Sequence, residues 1–203
     1  MSCSISKELI DKTIAFHGHS CPGLAIGIRA AELALEEIGK APDEEIVAVV
    51  ETDMCGVDAI QYLTGCTYGK GNLIHKDFGK NAFTFYRRRD NKALRFVTRG
   101  DVFGDAGRAL RELNRKVQEE GLSKEEEKTW SEIRERISKL VMETNLSEIF
   151  EIKEPTSPVP RKARMVASLV CESCGEPVME TRTRRFHDKI LCIPCFDTLE
   201  KRV

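Results

Sequence analysis

Long apolar stretches are missing from this chain of 203 residues. No run approaches the roughly 20 apolar residues that a membrane-spanning helix needs, and the N-terminal residues lack the apolar segment of a secretory signal peptide. A strong net charge is also missing, since the formal charge is -1, so the chain as a whole is not built to bind a polyanion. We therefore expect a cytoplasmic protein without a membrane partner.

Two specific chemistries are excluded by missing patterns. The glycine-rich loop around Lys70 lacks the GxxxxGK[ST] spacing of a P-loop, so Lys70 is predicted only as a weak binding residue for an anionic ligand. The cysteines do not form a set suited to ferredoxin-type iron–sulfur clusters. The sequence therefore does not predict a nucleotide-hydrolysing protein or an electron-transfer protein.

Cysteine is abundant, with 8 residues, and a reducing compartment disfavours a disulfide scaffold. Four of them form two CxxC pairs, Cys171 with Cys174 and Cys192 with Cys195. Four thiolates held in this way suit tetrahedral zinc. Residues 163–203 are too few to fold on an apolar core alone, so zinc would supply the folding free energy. The pattern predicts a zinc finger, and we interpret His187 as a surface or packing residue.

A second cluster lies near the N-terminus, where His17, His19 and Cys21 fall within five residues of one another. Pro22 is typical of a helix start, and the positive end of that helix would favour a Cys21 thiolate. Cys55 follows an apolar run that predicts a buried strand. If these segments converge, they form a mixed His/Cys metal site, with Zn²⁺ or another divalent transition metal.

Cys66, at the start of the glycine-rich loop, is a further candidate ligand. The alternative is that Cys55 and Cys66 are buried core residues, as free cysteines often are. If the site is catalytic, Cys21, His19 and Asp53 are the candidate catalytic residues, and Asp58 is a candidate partner of a ligand.

Hydrophobic periodicity predicts an α+β fold, with helices packed on a mostly antiparallel sheet and a small C-terminal finger. Strands are predicted near 46–50, 73–78, 82–87, 93–99 and 149–152, the second and third joined as a hairpin. Gly39 and Pro42 are predicted to end the second helix. Three prolines near residue 158 predict a stiff linker. The predicted domains are residues 1–152, a linker at 153–162, and a finger at 163–203.

Three segments in combination resemble the FmdE family of formylmethanofuran dehydrogenase subunits: Phe16–Gly23, Asp53–Gln61 and Thr64–Asn72. The two CxxC pairs resemble treble-clef zinc fingers of the DksA/TraR type. The family resemblance implies an α+β core, an intertwined homodimer and a link to methanogenesis. Because the chain has no cysteine set suited to ferredoxin-type clusters and no obvious pterin-binding domain, we expect an accessory protein rather than the redox component of such an enzyme.

Three functional hypotheses follow, of which the third is a purely structural dimer module. In the first, the chain is a metal-binding protein of the FmdE type that acts in or beside one-carbon metabolism, on a small-molecule substrate that the sequence does not identify. In the second, the chain is a regulator or adaptor, in which the finger contacts a protein or nucleic acid and the core senses a metal ion. Basic residues near the finger, such as Arg184 and Arg185, lack interleaved aromatic residues, which favours a solvated face over nucleic-acid binding.

Overall fold

The computed structural model describes residues 2–40, 45–100, 102–155 and 157–201, and the chain divides into two compact units, residues 1–162 and 163–203. The helices are α1 (Lys7–His17), α2 (Pro22–Glu37), α3 (Gly56–Thr64), α4 (Gly104–Glu119), α5 (Lys124–Glu143), α6 (Leu146–Ile149) and α7 (Ile193–Glu200). The strands are β1 (Ile46–Val50), β2 (Leu73–His75), β3 (Ala82–Arg87), β4 (Lys92–Thr98), β5 (Phe150–Lys153), β6 (Ser168–Val170), β7 (Pro177–Met179), β8 (Thr183–Phe186) and β9 (Lys189–Cys192).

The core sheet has the strand order β2-β1-β3-β4-β5, and all its pairs are antiparallel except β1 with β2. The expected α+β class is therefore confirmed. The predicted hairpin between 73–78 and 82–87 is wrong, because β2 pairs in parallel with β1 and its last paired residue is His75. Between β1 and β2 the chain forms α3, and this helix is the crossover connection that two parallel neighbouring strands require.

The main core lies between one face of this sheet and the helices α2 and α5. Phe83, Phe85 and Phe96 are fully buried there, and Ile137 and Val141 of α5 cover them. Phe96 contacts Phe150 edge to face, with the ring centroids 4.9 Å apart. Burial of this apolar area is the principal stabilising term for the unit.

The opposite face of the sheet is covered in part by the proline-containing segment. Val159 packs against Val47, Val49 and Tyr86, and the Tyr86 hydroxyl donates to the carbonyl oxygen of Ser157 at 2.9 Å. This part of the predicted linker is thus packed on the core unit. Thr156 and the predicted helix stop at Pro42 lie outside the described residues.

Local sequence signals explain the helix ends that surround the site. Ser6 caps α1, accepting a hydrogen bond from the Leu9 N–H, and Gly18 ends it in the left-handed conformation at φ 95°. Ser123 and Glu126 form a capping box at α5. Among the described residues, no helix is long and apolar enough to cross a membrane.

Candidate metal centre

Four side chains of the core unit converge at the N-terminal ends of α2 and α3. One ligand atom from each of His17, His19, Cys21 and Cys55 lies within 4.8 Å of the other three. A tetrahedral zinc ion with ordinary bond lengths separates its nitrogen and sulfur ligands by roughly 3.3–3.8 Å. The four atoms therefore need only small adjustments to hold one ion.

The turn at Gly18 places the two histidines. His17 is the last residue of α1, and a glycine at φ 95° reverses the chain direction immediately after it. This conformation is costly for a residue with a Cβ atom. Because of the turn, the rings of His17 and His19 lie next to each other, with their centroids 4.5 Å apart and their planes tilted by 38°.

Close packing of α2 on α3 brings the two cysteines together. Cys21 and Cys55 are the N-cap residues of these helices. A Cβ atom on Gly27 would lie only 2.2 Å from the Gly56 carbonyl oxygen, so the backbones touch at this crossing. Gly23 is also constrained, because a Cβ atom there would lie 3.3 Å from the Cys55 Cβ. Glycines at these positions therefore set the distance between the sulfur atoms.

Asp58 orients His17. Its carboxylate lies 2.7 Å from Nδ1 of His17, which leaves Nε2 for the centre of the cluster. Among the described residues, Nε2 has no hydrogen-bond partner although it is buried. A carboxylate–histidine pair with the second nitrogen unpaired is the usual arrangement around a metal-binding histidine. This unpaired nitrogen is the strongest sign that the residues present fit a metal ion.

The thiols support the same interpretation. Burial raises the pKa of the Cys55 thiol, and the hydrogen bond and charge of Cys21 raise it further. Two thiolates side by side repel each other, and a divalent cation between them removes that cost. The Cys21 sulfur also accepts a hydrogen bond from the Leu24 N–H at 3.3 Å. The pair is therefore better suited to binding a cation than to acting as a free nucleophile.

Cys66 is not part of this cluster. It is fully buried in the main core, and its Sγ lies 3.6 Å from the Ile46 carbonyl oxygen. Burial raises the pKa of its thiol. The hydrogen bond with Thr64 and the charge of Lys70 lower this pKa, but by less than burial raises it. We therefore correct its assignment from metal ligand to core residue.

The remaining predicted site residues lie in exposed positions. Asp53 is exposed in the segment before α3, and Lys70 is exposed in the loop before β2. Asp58, which the sequence analysis names as a candidate partner of a ligand, lies in the first turn of α3, and its carboxylate contacts His17. His187 is exposed in the turn between β8 and β9.

The finger holds the second cluster, formed by Cys171, Cys174, Cys192 and Cys195, whose sulfur atoms lie within 4.8 Å of one another. The sulfurs of Cys174 and Cys192 are 3.9 Å apart, close to the spacing in a tetrahedral Zn–S₄ site. The backbone N–H of Cys174, and then that of Cys192, lower the pKa of Cys171 to about 6. Against the backbone N–H of Glu176, which lowers it, the neighbouring Cys171 thiol and burial raise the pKa of Cys174 to about 12, so a cation such as zinc is needed to hold all four sulfurs as thiolates.

Sequence reasoning missed the residues that surround the core cluster. Trp130 and Arg134 of α5 line clefts that also contain Cys21, Cys55 and His19 of the cluster. Their spacing of four residues is the only sequence signal that they share a helix face. Nothing in the sequence indicated which element that face would meet.

The fold and the two clusters define a metal-binding protein with an α+β core and a four-cysteine finger. The chain belongs to the FmdE family, whose profile, described as "FmdE, Molybdenum formylmethanofuran dehydrogenase operon", matches residues 16–151. Residues 166–201 match the prokaryotic dksA/traR C4-type zinc finger. Both resemblances expected from the sequence are thereby confirmed.

Two relatives are similar over nearly the whole chain. A probable S-adenosyl-L-methionine-binding protein of Archaeoglobus fulgidus is 36% identical over 197 residues, which is 93% of this chain and 52% of the relative. The chain thus spans about half the length of that curated relative. The crystal structure of a tungsten formylmethanofuran dehydrogenase FmdE-like protein from Syntrophus aciditrophicus is similar with a TM-score of 0.61 and 24% identity, covering 98% of this chain and 96% of that one. This second likeness shows the fold.

Proposed function

We propose that the core unit binds one divalent transition metal ion, zinc in the first instance, through His17, His19, Cys21 and Cys55. The observation that carries this proposal is the buried, unpaired Nε2 of His17 within a cluster of four ligand atoms. Four protein ligands complete the tetrahedral set of zinc, so a bound ion would supply Lewis-acid chemistry to a neighbouring small molecule only if it gained a fifth ligand or released one of the four. The chain's own contribution is to hold the histidine tautomer through Asp58 and to fix the two sulfurs through the contact between α2 and α3.

We further propose that this site acts in or beside one-carbon metabolism. The family description names a formylmethanofuran dehydrogenase operon, and the Archaeoglobus relative is named for S-adenosyl-L-methionine, a methyl donor. Both names concern the transfer of one-carbon groups. Nothing in these matches favours the regulatory or adaptor hypothesis, so the metal-binding hypothesis leads.

The site's composition suggests an accessory, metal-holding role, and we propose that the protein works as a homodimer in the cytoplasm. The oligomeric state can be measured by light scattering on the full chain. One chain has a mass of 22.9 kDa, and we expect the measured mass of the particle in solution to be twice this value. A mass equal to that of one chain across the micromolar range would contradict the dimer without affecting the metal site.

Metal content per full-length chain tests the core site directly. The wild type should contain two ions, one in each cluster, and the double variant Cys21→Ser/Cys55→Ser should contain one. Cys3→Ser, which changes a cysteine outside both clusters, is the matched control and should retain two. One ion in the wild type, unchanged in the double variant, would refute the core site and leave the finger as the metal-binding unit.

S-adenosyl-L-methionine binding is a separate measurement. Calorimetric titration of the metal-loaded chain should show heat of binding if the relative's named ligand is recognised by the half that this chain resembles. Absence of binding would assign that ligand to the other half of the relative, and the metal proposal would stand.

A further inference from the structure

A cleft of about 390 Å³ opens directly beside the two ligand cysteines. Its wall is formed by the N-terminal ends of α2 and α3 on one side and by the α4–α5 hairpin on the other. The volume lies in the range of small-molecule sites. A ligand in this cleft would touch the residues that hold the metal, so the cleft is a candidate substrate site.

The charge of the cleft is of one sign. Among the described residues that line it, Arg134 is the one charged side chain, and no carboxylate is present. Arg134 forms no ion pair with a carboxylate anywhere in the described part of the chain. Its guanidinium instead lies over the Trp130 ring, 4.1 Å from the ring centroid, and this contact leaves its N–H donors available.

The two asparagines of the lining add neutral donors. Asn114 accepts a hydrogen bond from the Trp130 indole N–H at 2.8 Å, which fixes the indole and leaves the Asn114 amide N–H groups as donors. The Asn81 side chain has no hydrogen-bond partner among the described residues, although its backbone is bonded to Thr98. Apolar side chains, including Ile26 and Phe103, form the rest of the wall.

We propose that this cleft binds a small organic carboxylate with an apolar body, held by Arg134 next to the core metal. An unpaired guanidinium favours a carboxylate because the two form charge-assisted hydrogen bonds. Trp130 and the apolar wall bind the uncharged part of the ligand. The position of the ligand beside a metal ion rests on the function proposed above, whereas the carboxylate preference rests on the cleft itself.

Trp130 makes the proposal measurable, because it is the one tryptophan of the chain. Its fluorescence, together with calorimetry, should report binding of phenylacetate and hexanoate to the metal-loaded full-length protein. The neutral amides phenylacetamide and hexanamide have nearly the same shape and lack the charge. We expect each acid to bind about 10- to 100-fold more tightly than its amide, as a charge-assisted hydrogen bond would give.

Arg134→Gln should remove this preference. Arg136→Gln is the matched control, since Arg136 is exposed two residues further along the same helix and does not line the cleft. The control should bind both acids as the wild type does. Equal affinity for acid and amide, no effect of Arg134→Gln, or no binding of either acid at about 10 mM would each overturn the proposal.

Metal content measured on the same samples separates the two proposals. Binding that depends on Arg134 in a protein lacking a core ion would refute the metal site and support the carboxylate cleft. A core ion without carboxylate binding would support the metal site and refute the cleft.

Discussion

In the core unit, Phe83, Phe85 and Phe96 are fully buried between a five-stranded sheet and its helices. In the described part of the finger, three residues are buried, Cys171, Leu191 and Cys192, and two of these belong to the four-cysteine cluster. Apolar burial can stabilise the first unit without a metal ion. The second has too little buried area to fold in that way.

The two clusters also differ in how the chain assembles them. In the finger, each CxxC pair brings two sulfurs together within four residues, so local backbone turns set most of the geometry of the cluster. In the core, Cys55 reaches Cys21 only because Gly27 and Gly56 let two helices touch. We therefore expect the finger to need its metal in order to fold, and the proposed core site to need the fold in order to bind metal.

The largest expected effect comes from removing one finger ligand. Cys174→Ser leaves three thiolates, and the zinc-binding free energy that folds such domains is about 10–16 kcal/mol. We expect residues 163–203 to become sensitive to protease while the thermal transition of the core unit is unchanged. Ser173→Ala, which changes a residue between Cys171 and Cys174, is the control and should behave as the wild type. A protease-resistant finger without zinc would show that its small apolar cluster suffices.

The next effect is on the core scaffold. Gly27→Ala would place a Cβ atom 2.2 Å from a backbone oxygen, so α2 and α3 would have to separate. We expect a loss of about 3 kcal/mol in the free energy of unfolding, at the upper end for overpacking, and loss of the core metal with the finger metal retained. Urea denaturation and metal analysis measure the two effects.

Gly69→Ala is the control for this prediction, because nothing lies within 4 Å of its added Cβ atom. It should change neither stability nor metal content. Retention of core metal in a destabilised Gly27→Ala protein would mean that the sulfur spacing does not depend on the helix contact.

The difference between local and long-range assembly explains what the sequence could predict. The finger motif and most element boundaries follow from spacing, caps and periodicity, as with Ser6, Ser123 and Gly18. The parallel pairing of β2 with β1 could not be inferred, because a Gly-containing segment between two apolar runs is equally typical of a hairpin. The predicted hairpin fails for that reason.

The core site was predictable in part. The His17, His19 and Cys21 motif is local, and Cys55 was expected from its place after a buried strand. Cys66 has the same residue type and a similar loop position, and only tertiary packing against Ile46 separates it from a ligand. Trp130 and Arg134 reach the site from a helix far along the chain, since Trp130 lies 109 residues after Cys21 and 75 after Cys55, and no local rule specifies such a contact.

The core site can be weakened without changing any of its four clustered side chains, through the carboxylate that contacts His17. Asp58→Asn keeps the shape of the side chain but removes the charge that orients His17. We expect the core metal affinity to fall about 10- to 100-fold, as is usual for such partners, with the finger affinity unchanged. Chelator competition measures both sites in one protein.

Asp11→Asn, an exposed carboxylate on α1, controls for the loss of one negative charge in the Asp58 experiment. It should leave both affinities at the wild-type value. An Asp58→Asn protein with unaltered core affinity would mean that the His17 orientation is fixed by packing alone.

The smallest expected effect concerns acid sensitivity of the helix that covers the core site. The hydrogen bond from Lys116, and then those from the Ser123 backbone and hydroxyl, lower the pKa of Glu126 to about 2, from an ordinary 4.5. A carboxylate with a lowered pKa stabilises the fold above the unfolded-state pKa, and this contribution is lost as the pH falls from about 4.5 toward 2. Glu126→Gln should therefore be less stable than the wild type at pH 7, and the difference should disappear near pH 2.

Urea unfolding across this pH range measures the difference in stability. Glu127→Gln, in the same helical turn, is the control, since Glu127 lacks the Lys116 contact. No difference between Glu126→Gln and the wild type at pH 7 would assign the role of Glu126 to hydrogen bonding, which glutamine retains in a capping box.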